Sequence, residues 1–154
     1  PFSTFPYNLR SIILSSILLI TQKQLSEQER FYYNILDKAS KAGFSLNCGE
    51  CSEMTLTDVK GNPYIFYKTM KYDDSLLFFE LRANPDKEIA IGIINERINA
   101  SKDKEDFILT DNLFSYREDN EYVFQLANGS YNFVLRGKRT LADLFLKSIG
   151  VLQN

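Results

Sequence analysis

Cys48-Gly49-Glu50-Cys51 is the one recognisable chemical motif in this 154-residue chain. Two cysteines at this spacing suit a redox dithiol or half of a tetrahedral zinc site. Zinc asks for four ligands, and the chain offers two cysteines and no histidine. The remaining ligands would have to be carboxylates such as Glu50 or Glu53, or come from a second subunit. Dithiol redox chemistry is favoured where the pair opens a helix just after a strand, because the helix dipole lowers a thiol pKa. Here the pair follows a predicted helix and precedes a predicted strand. Cys48 and Cys51 therefore stand as candidate metal or redox residues, with incidental thiols or a small disulfide-closed loop as the simpler reading.

The absence of histidine also removes the commonest general base and the physiological-pH switch. Catalysis would have to rest on carboxylates, Lys, Tyr, Ser or Cys. Asp58-Val59-Lys60 and Glu80-Leu81-Arg82 have the acidic-x-basic spacing of metal-dependent nucleases. Such triplets arise by chance among 38 charged residues, so they carry little weight. No phosphate loop, dinucleotide fingerprint or nucleophile elbow is present. The expectation is a protein without catalytic activity and without a cofactor.

Composition is that of an ordinary globular domain, with 44% hydrophobic and 25% charged residues. A net charge of −2 conceals a gradient. Residues 73–121 hold thirteen acidic and six basic groups, net −7, between flanks of +2 and +3. An acidic middle argues against nucleic-acid binding, which rests on neutralising phosphates. It is compatible with a basic protein partner. Arg136, Lys138 and Arg139 form a short basic turn that could meet phosphate or an acidic group, although a solvated loop is the plainer account.

The elements that must position these residues follow from pattern. Residues 1–8 read as an irregular lead-in, and a chain opening with Pro is expected to be a fragment or a processed product. Residues 9–20, LRSIILSSILLI, are the most apolar run. They fall well short of the ~20 residues that cross a bilayer, so a buried helix is expected rather than a membrane span. Arg10 and this run also have the layout of a signal peptide, without a small-x-small cleavage site after it. A cytoplasmic location is the first expectation, and a secreted or anchored precursor the alternative.

Ser26 and Glu29 form a capping box opening a helix to about Ala42, so residues 9–43 are read as helical. Phe31, Ile35, Leu36, Ala39 and Ala42 make its apolar stripe, and Gly43 followed by Phe44 should close it. Residues 54–135 then read as an antiparallel sheet. Asp73-Asp74 should turn a hairpin placing Phe66, Lys68, Met70, Leu77, Phe79 and Leu81 on one face. The other face would carry Ile65, Tyr67, Thr69, Phe78, Glu80 and Arg82. Residues 89–94 are apolar on both faces and read as a central strand, followed by a polar loop or short helix over 95–106. Asn128-Gly129 predicts a type I′ hairpin pairing Phe124 with Phe133. Thr140 should cap a last helix over 140–150, ended by Gly150.

The whole is predicted to be a single α+β domain. A curved antiparallel meander of about seven strands would be flanked by two N-terminal helices and one C-terminal helix, packed on one side. Two functions fit. One is a non-catalytic protein-interaction module, such as an adaptor, an immunity-type inhibitor or an effector chaperone, binding through Tyr67, Phe78, Glu80 and Arg82. The other is a carrier of an apolar small molecule between sheet and helices.

Overall fold

The computed structural model describes residues 25–111 and 113–153. The apolar run at 9–20, the first of the two expected N-terminal helices, lies outside them.

Helix α1 (Glu27–Lys41) begins as its sequence dictates. The Ser26 side chain accepts from the Glu29 amide, and the Glu29 carboxylate accepts from the Ser26 amide. It ends with the Phe44 amide donating to the Ala39 carbonyl and the Gly43 amide to that of Ser40, which satisfies two orphan acceptors. Phe44 is carried into the core. Three strands follow, β1 (Glu53–Thr57), β2 (Pro63–Tyr72) and β3 (Ser75–Ala83). Phe66 pairs with Leu81, Lys68 with Phe79 and Met70 with Leu77, the register expected of a turn at Asp73-Asp74.

The chain then departs from expectation. Residues 89–94 lie not in a strand but within helix α2 (Lys87–Ser101), which also absorbs most of the expected polar loop. Asp86 supplies the local reason, since its carboxylate accepts from the Ile89 amide as an N-cap. Ala90, Ile94 and Ser101 then fall on one buried stripe.

Strands β4 (Glu105–Thr110), β5 (Leu113–Glu118), β6 (Glu121–Asn128) and β7 (Tyr131–Gly137) complete a seven-stranded antiparallel sheet, and helix α3 (Arg139–Ser148) follows. Strand order is β1-β2-β3-β7-β6-β5-β4, so the chain lays down two meanders. Helix α2 carries it from β3 to the far edge.

In the β6–β7 hairpin Phe124 pairs with Leu135 and Leu126 with Phe133. The turn residues are therefore Gly129 and Ser130, one position later than expected. Gly129 has φ +60°, whereas Ser130 is not among the positive-φ residues, which replaces the expected type I′ turn by one with a single left-handed position, at Gly129. Every pair moves by two residues, and an even shift leaves each side chain on its expected face. Phe124 and Phe133 are both buried.

The first face holds the main core. Tyr32, Ile35, Leu36 and Ala39 of α1, with Leu141, Ala142, Phe145 and Leu146 of α3, cover Phe66, Met70, Leu77, Phe79, Leu81, Phe124, Leu126, Phe133 and Leu135. The N-cap position of helix α3 is Lys138 rather than Thr140, and no side chain caps the helix. The chain turns straight from the last residue of β7 into the helix, leaving no room for the expected cap. Gly150 does end it, with the Val151 amide donating to the Leu146 carbonyl.

The helices do not all lie on one side. Helix α2 packs on the second face, where Ile94 meets Phe114, Tyr116 and Val123. Asn132 pins it there: its amide donates to the Ala90 carbonyl and its oxygen accepts from Asn84. Arg97 donates to Gln125, which donates to the Tyr116 hydroxyl. These buried polar groups are mutually satisfied, which is what makes their burial tolerable.

Candidate functional site

Helix α2 lies over β6 and β7, so the second face divides into a covered half and the strip formed by β1, β2 and β3. Register places Tyr67 opposite Glu80, Thr69 opposite Phe78 and Ile65 opposite Arg82 on that strip. All of the expected interaction residues are thus brought to one surface. Tyr67 and Phe78 are half-buried, with ring centroids 6.0 Å apart. Burial, and then the neighbouring Glu80 carboxylate, push the Tyr67 hydroxyl above the ordinary phenol range.

Strand β1 adds residues that sequence reading did not assign to this surface. Met54 pairs with Tyr67 and Leu56 with Ile65, while Leu76 pairs with Lys71 on the same side. Met54 is 54% exposed and Leu56 and Leu76 are each 38% exposed. Together with Tyr67 and Phe78 they make a contiguous apolar strip with Glu80 and Arg82 among them. The alternation of Met54 and Leu56 with Thr55 and Thr57 was the available signal, since it puts the two apolar side chains on one face of β1.

The strip runs at one end into an open groove of about 590 Å³. Glu27 and Gln28 of α1 wall one side, and Arg82, Asn84 and Ile89 the other. Gln28 donates to the Pro63 carbonyl, which fixes the start of α1 at this end of the sheet. The Arg82 Nε is shut away from solvent with no acceptor among the described residues.

Cys48 and Cys51 are bonded to each other. They sit in the loop between α1 and β1, where the Ser45–Lys71 bridge and a Lys71–Glu50 ion pair of 3.2 Å hold the backbone independently. Among the described residues no three His, Cys, Asp or Glu side chains are grouped to share a metal ion. A four-residue loop confines the unfolded chain little, about 2 kcal/mol by the chain-entropy relation. The double variant Cys48→Ser/Cys51→Ser is expected to melt only a few degrees below the parent. A loss of more than about 10 °C by calorimetry would show the bond to be a main support of the fold.

The other chemical candidates are engaged in structure. The Asp58 carboxylate accepts from the Lys60 and Asn62 amides in the β1–β2 turn, and these bonds hold it below the usual carboxylate range. Of the basic turn, Arg136 pairs with Glu118 and the Arg139 guanidinium lies 4.4 Å from the Tyr122 ring. Within the acidic band, Glu105 and Asp106 pair with Arg117, and Glu118 pairs with Lys104.

Tyr32 and Lys68 are the buried ionisable groups under α1. The Lys68 ammonium donates to the Leu46 carbonyl at 2.6 Å while its stem lies in the core. The fully buried Tyr32 hydroxyl donates to Glu53 at 2.8 Å, and its ring stacks on Phe66. Burial first, and then Glu53, hold this phenol far above its ordinary value of 10.0. Below pH 10 the phenol is neutral in both states and its contribution is complete. Above pH 10 the unfolded chain loses the proton first, so stability falls by about 1.4 kcal/mol per pH unit from this group. Tyr32→Phe should cost about 1–2 kcal/mol at neutral pH through the lost hydrogen bond and flatten the alkaline decline. Urea titrations at pH 7 and above pH 10 check both effects.

No protein-family model, curated protein sequence or solved structure matches the chain. Among the described residues no helix is long and apolar enough to cross a membrane.

Proposed function

We propose that the protein is a non-catalytic interaction module whose working surface is the β1–β3 strip of the second sheet face. The observation that carries this reading is the strip itself: Met54, Leu56 and Leu76 exposed around the half-buried Tyr67–Phe78 pair, with Glu80 and Arg82 in the same surface. Aromatic anchors amid charged groups are the composition of a surface that meets a protein, because the rings supply desolvated contact area and the charges set orientation. Glu80 favours a partner with a basic group beside its apolar contact, and such a charge would also speed encounter at low salt.

The test compares partner capture from a lysate of the cell that makes the protein by the parent, Tyr67→Ala and Glu80→Lys. Far-UV circular dichroism establishes that each variant is folded. The reading expects both variants to capture several-fold less of the same partner, and the binding that Glu80→Lys retains to depend less on salt. Retention of every partner by both variants overturns it.

A further inference from the structure

We propose that Cys48–Cys51 is a thiol–disulfide exchange site, which takes a pair of electrons from a dithiol while the fold stays intact. The site is separate from the β1–β3 strip, and neither reading depends on the other.

The loop is fastened at both ends without the bond. Before Cys48, Ser45 and Lys71 exchange backbone hydrogen bonds of 2.7 and 3.0 Å. After Cys51, the Thr69 amide donates to the Ser52 carbonyl at 2.9 Å. Between Ser45 and Cys48, Lys68 Nζ donates to the Leu46 carbonyl at 2.6 Å. Opening the S–S bond therefore leaves the loop tied to β2. Both sulfur-bearing residues are half-buried rather than sealed in the core, so a thiol reaches them from solvent.

No helix opens at this motif, but a cation stands in for the helix dipole. Lys68 is 5% exposed, and its ammonium has a carbonyl rather than a carboxylate for a partner among the described residues. A buried cation without a counter-charge is costly, and it favours a thiolate formed near it. The other charged groups around the loop are engaged. Glu50 pairs with Lys71, and Glu53, opposite Lys68 in register, accepts from the Tyr32 hydroxyl. Tyr32 and Tyr33 are held above the ordinary phenol value and carry no charge at pH 7.

The two sulfurs differ. Cys51 Sγ lies 3.4 Å from the Ser45 carbonyl oxygen, which repels an approaching thiolate and accepts from a thiol. A thiolate of the incoming dithiol accordingly attacks Cys48 Sγ and forms a mixed disulfide. The Cys48–Cys51 bond breaks with its electron pair on Cys51, which takes up a proton and donates to Ser45. The second thiol of the dithiol gives its proton to solvent and attacks the sulfur joined to Cys48. That step closes the dithiol into its disulfide and releases Cys48 as a thiolate. Two electrons pass to the chain for each dithiol oxidised.

Dithiothreitol at pH 7 should convert the full-length protein to a form with two alkylatable thiols by mass spectrometry, with its near-UV circular dichroism unchanged. The rate of alkylation by iodoacetamide against pH then reads each thiol alone. In Cys51→Ser, Cys48 should titrate about one unit or more below the ~8.5 of a free cysteine. In Cys48→Ser, Cys51 should titrate higher than Cys48 does. Added to Cys51→Ser, Lys68→Met should raise the Cys48 value. Glu50→Gln, an exposed change that frees Lys71, should lower it further and keeps the comparison available where Lys68→Met does not fold. Reduction only together with loss of the native spectrum overturns the proposal. So does a Cys48 value closer to that of a free cysteine, a Cys51 value below it, or indifference to the charge variants.

Discussion

Phe133→Ala should lower the unfolding free energy by about 3–5 kcal/mol, the range for truncating a core aromatic. Phe133 is fully buried on the central strand pair, between Leu126 of β6 and Leu81 of β3. Its ring centroid lies 5.9 Å from that of Phe79 and 6.2 Å from that of Phe31, so it joins sheet to helix α1. Loss of the ring removes apolar burial and leaves a cavity among residues held by backbone pairing on both sides, which cannot close in to fill it. The midpoint of thermal unfolding should fall by roughly 10–20 °C. A urea titration yielding a change below about 1 kcal/mol would show that the first face is not the main core.

Gly137→Ala is expected to cost about 2–4 kcal/mol, from backbone strain and overpacking together. Gly137 closes β7 with φ +153°, a conformation that side chains rarely adopt. A Cβ there would stand 3.0 Å from the Leu76 carbonyl oxygen and 3.2 Å from Leu77 Cδ1. The carbonyl belongs to β3 and cannot swing aside as a side-chain end could. The substitution should therefore loosen β3 from β7, the contact that joins the two meanders, and amide hydrogen exchange should rise there first. Protection unchanged across β3 and β7 would mean that the junction tolerates a side chain.

Local chemistry decided much of this protein. The reciprocal Ser26–Glu29 cap, the Gly43–Phe44 exit and the Asp73-Asp74 turn each involve groups a few residues apart, so the sequence alone places them. The alternation through β2 and β3 likewise determines which residues face inward, because side-chain direction has period two whatever lies beyond. It even survived the displaced β6–β7 turn, since a two-residue shift in pairing preserves the face of every residue.

Contacts between distant segments decided the rest. Residues 89–94 are apolar all round, and a short apolar run fits a buried strand or a buried helix equally well by periodicity. The Asp86 cap and the spacing of Ala90, Ile94 and Ser101 are the local signs of helix α2, but Asn132 and the Phe114–Tyr116 surface that receive it lie elsewhere in the chain. The placement of β3 beside β7 leaves no mark in either strand, because antiparallel edges of similar pattern are interchangeable until loops and helices select among them. That choice, with α2 seated over β6 and β7, leaves Tyr67, Phe78 and the flanking Met54 and Leu56 on a strip that no helix covers among the described residues. Sequence settles that these side chains point the same way; whether a helix lies above them is settled only by where the rest of the chain packs.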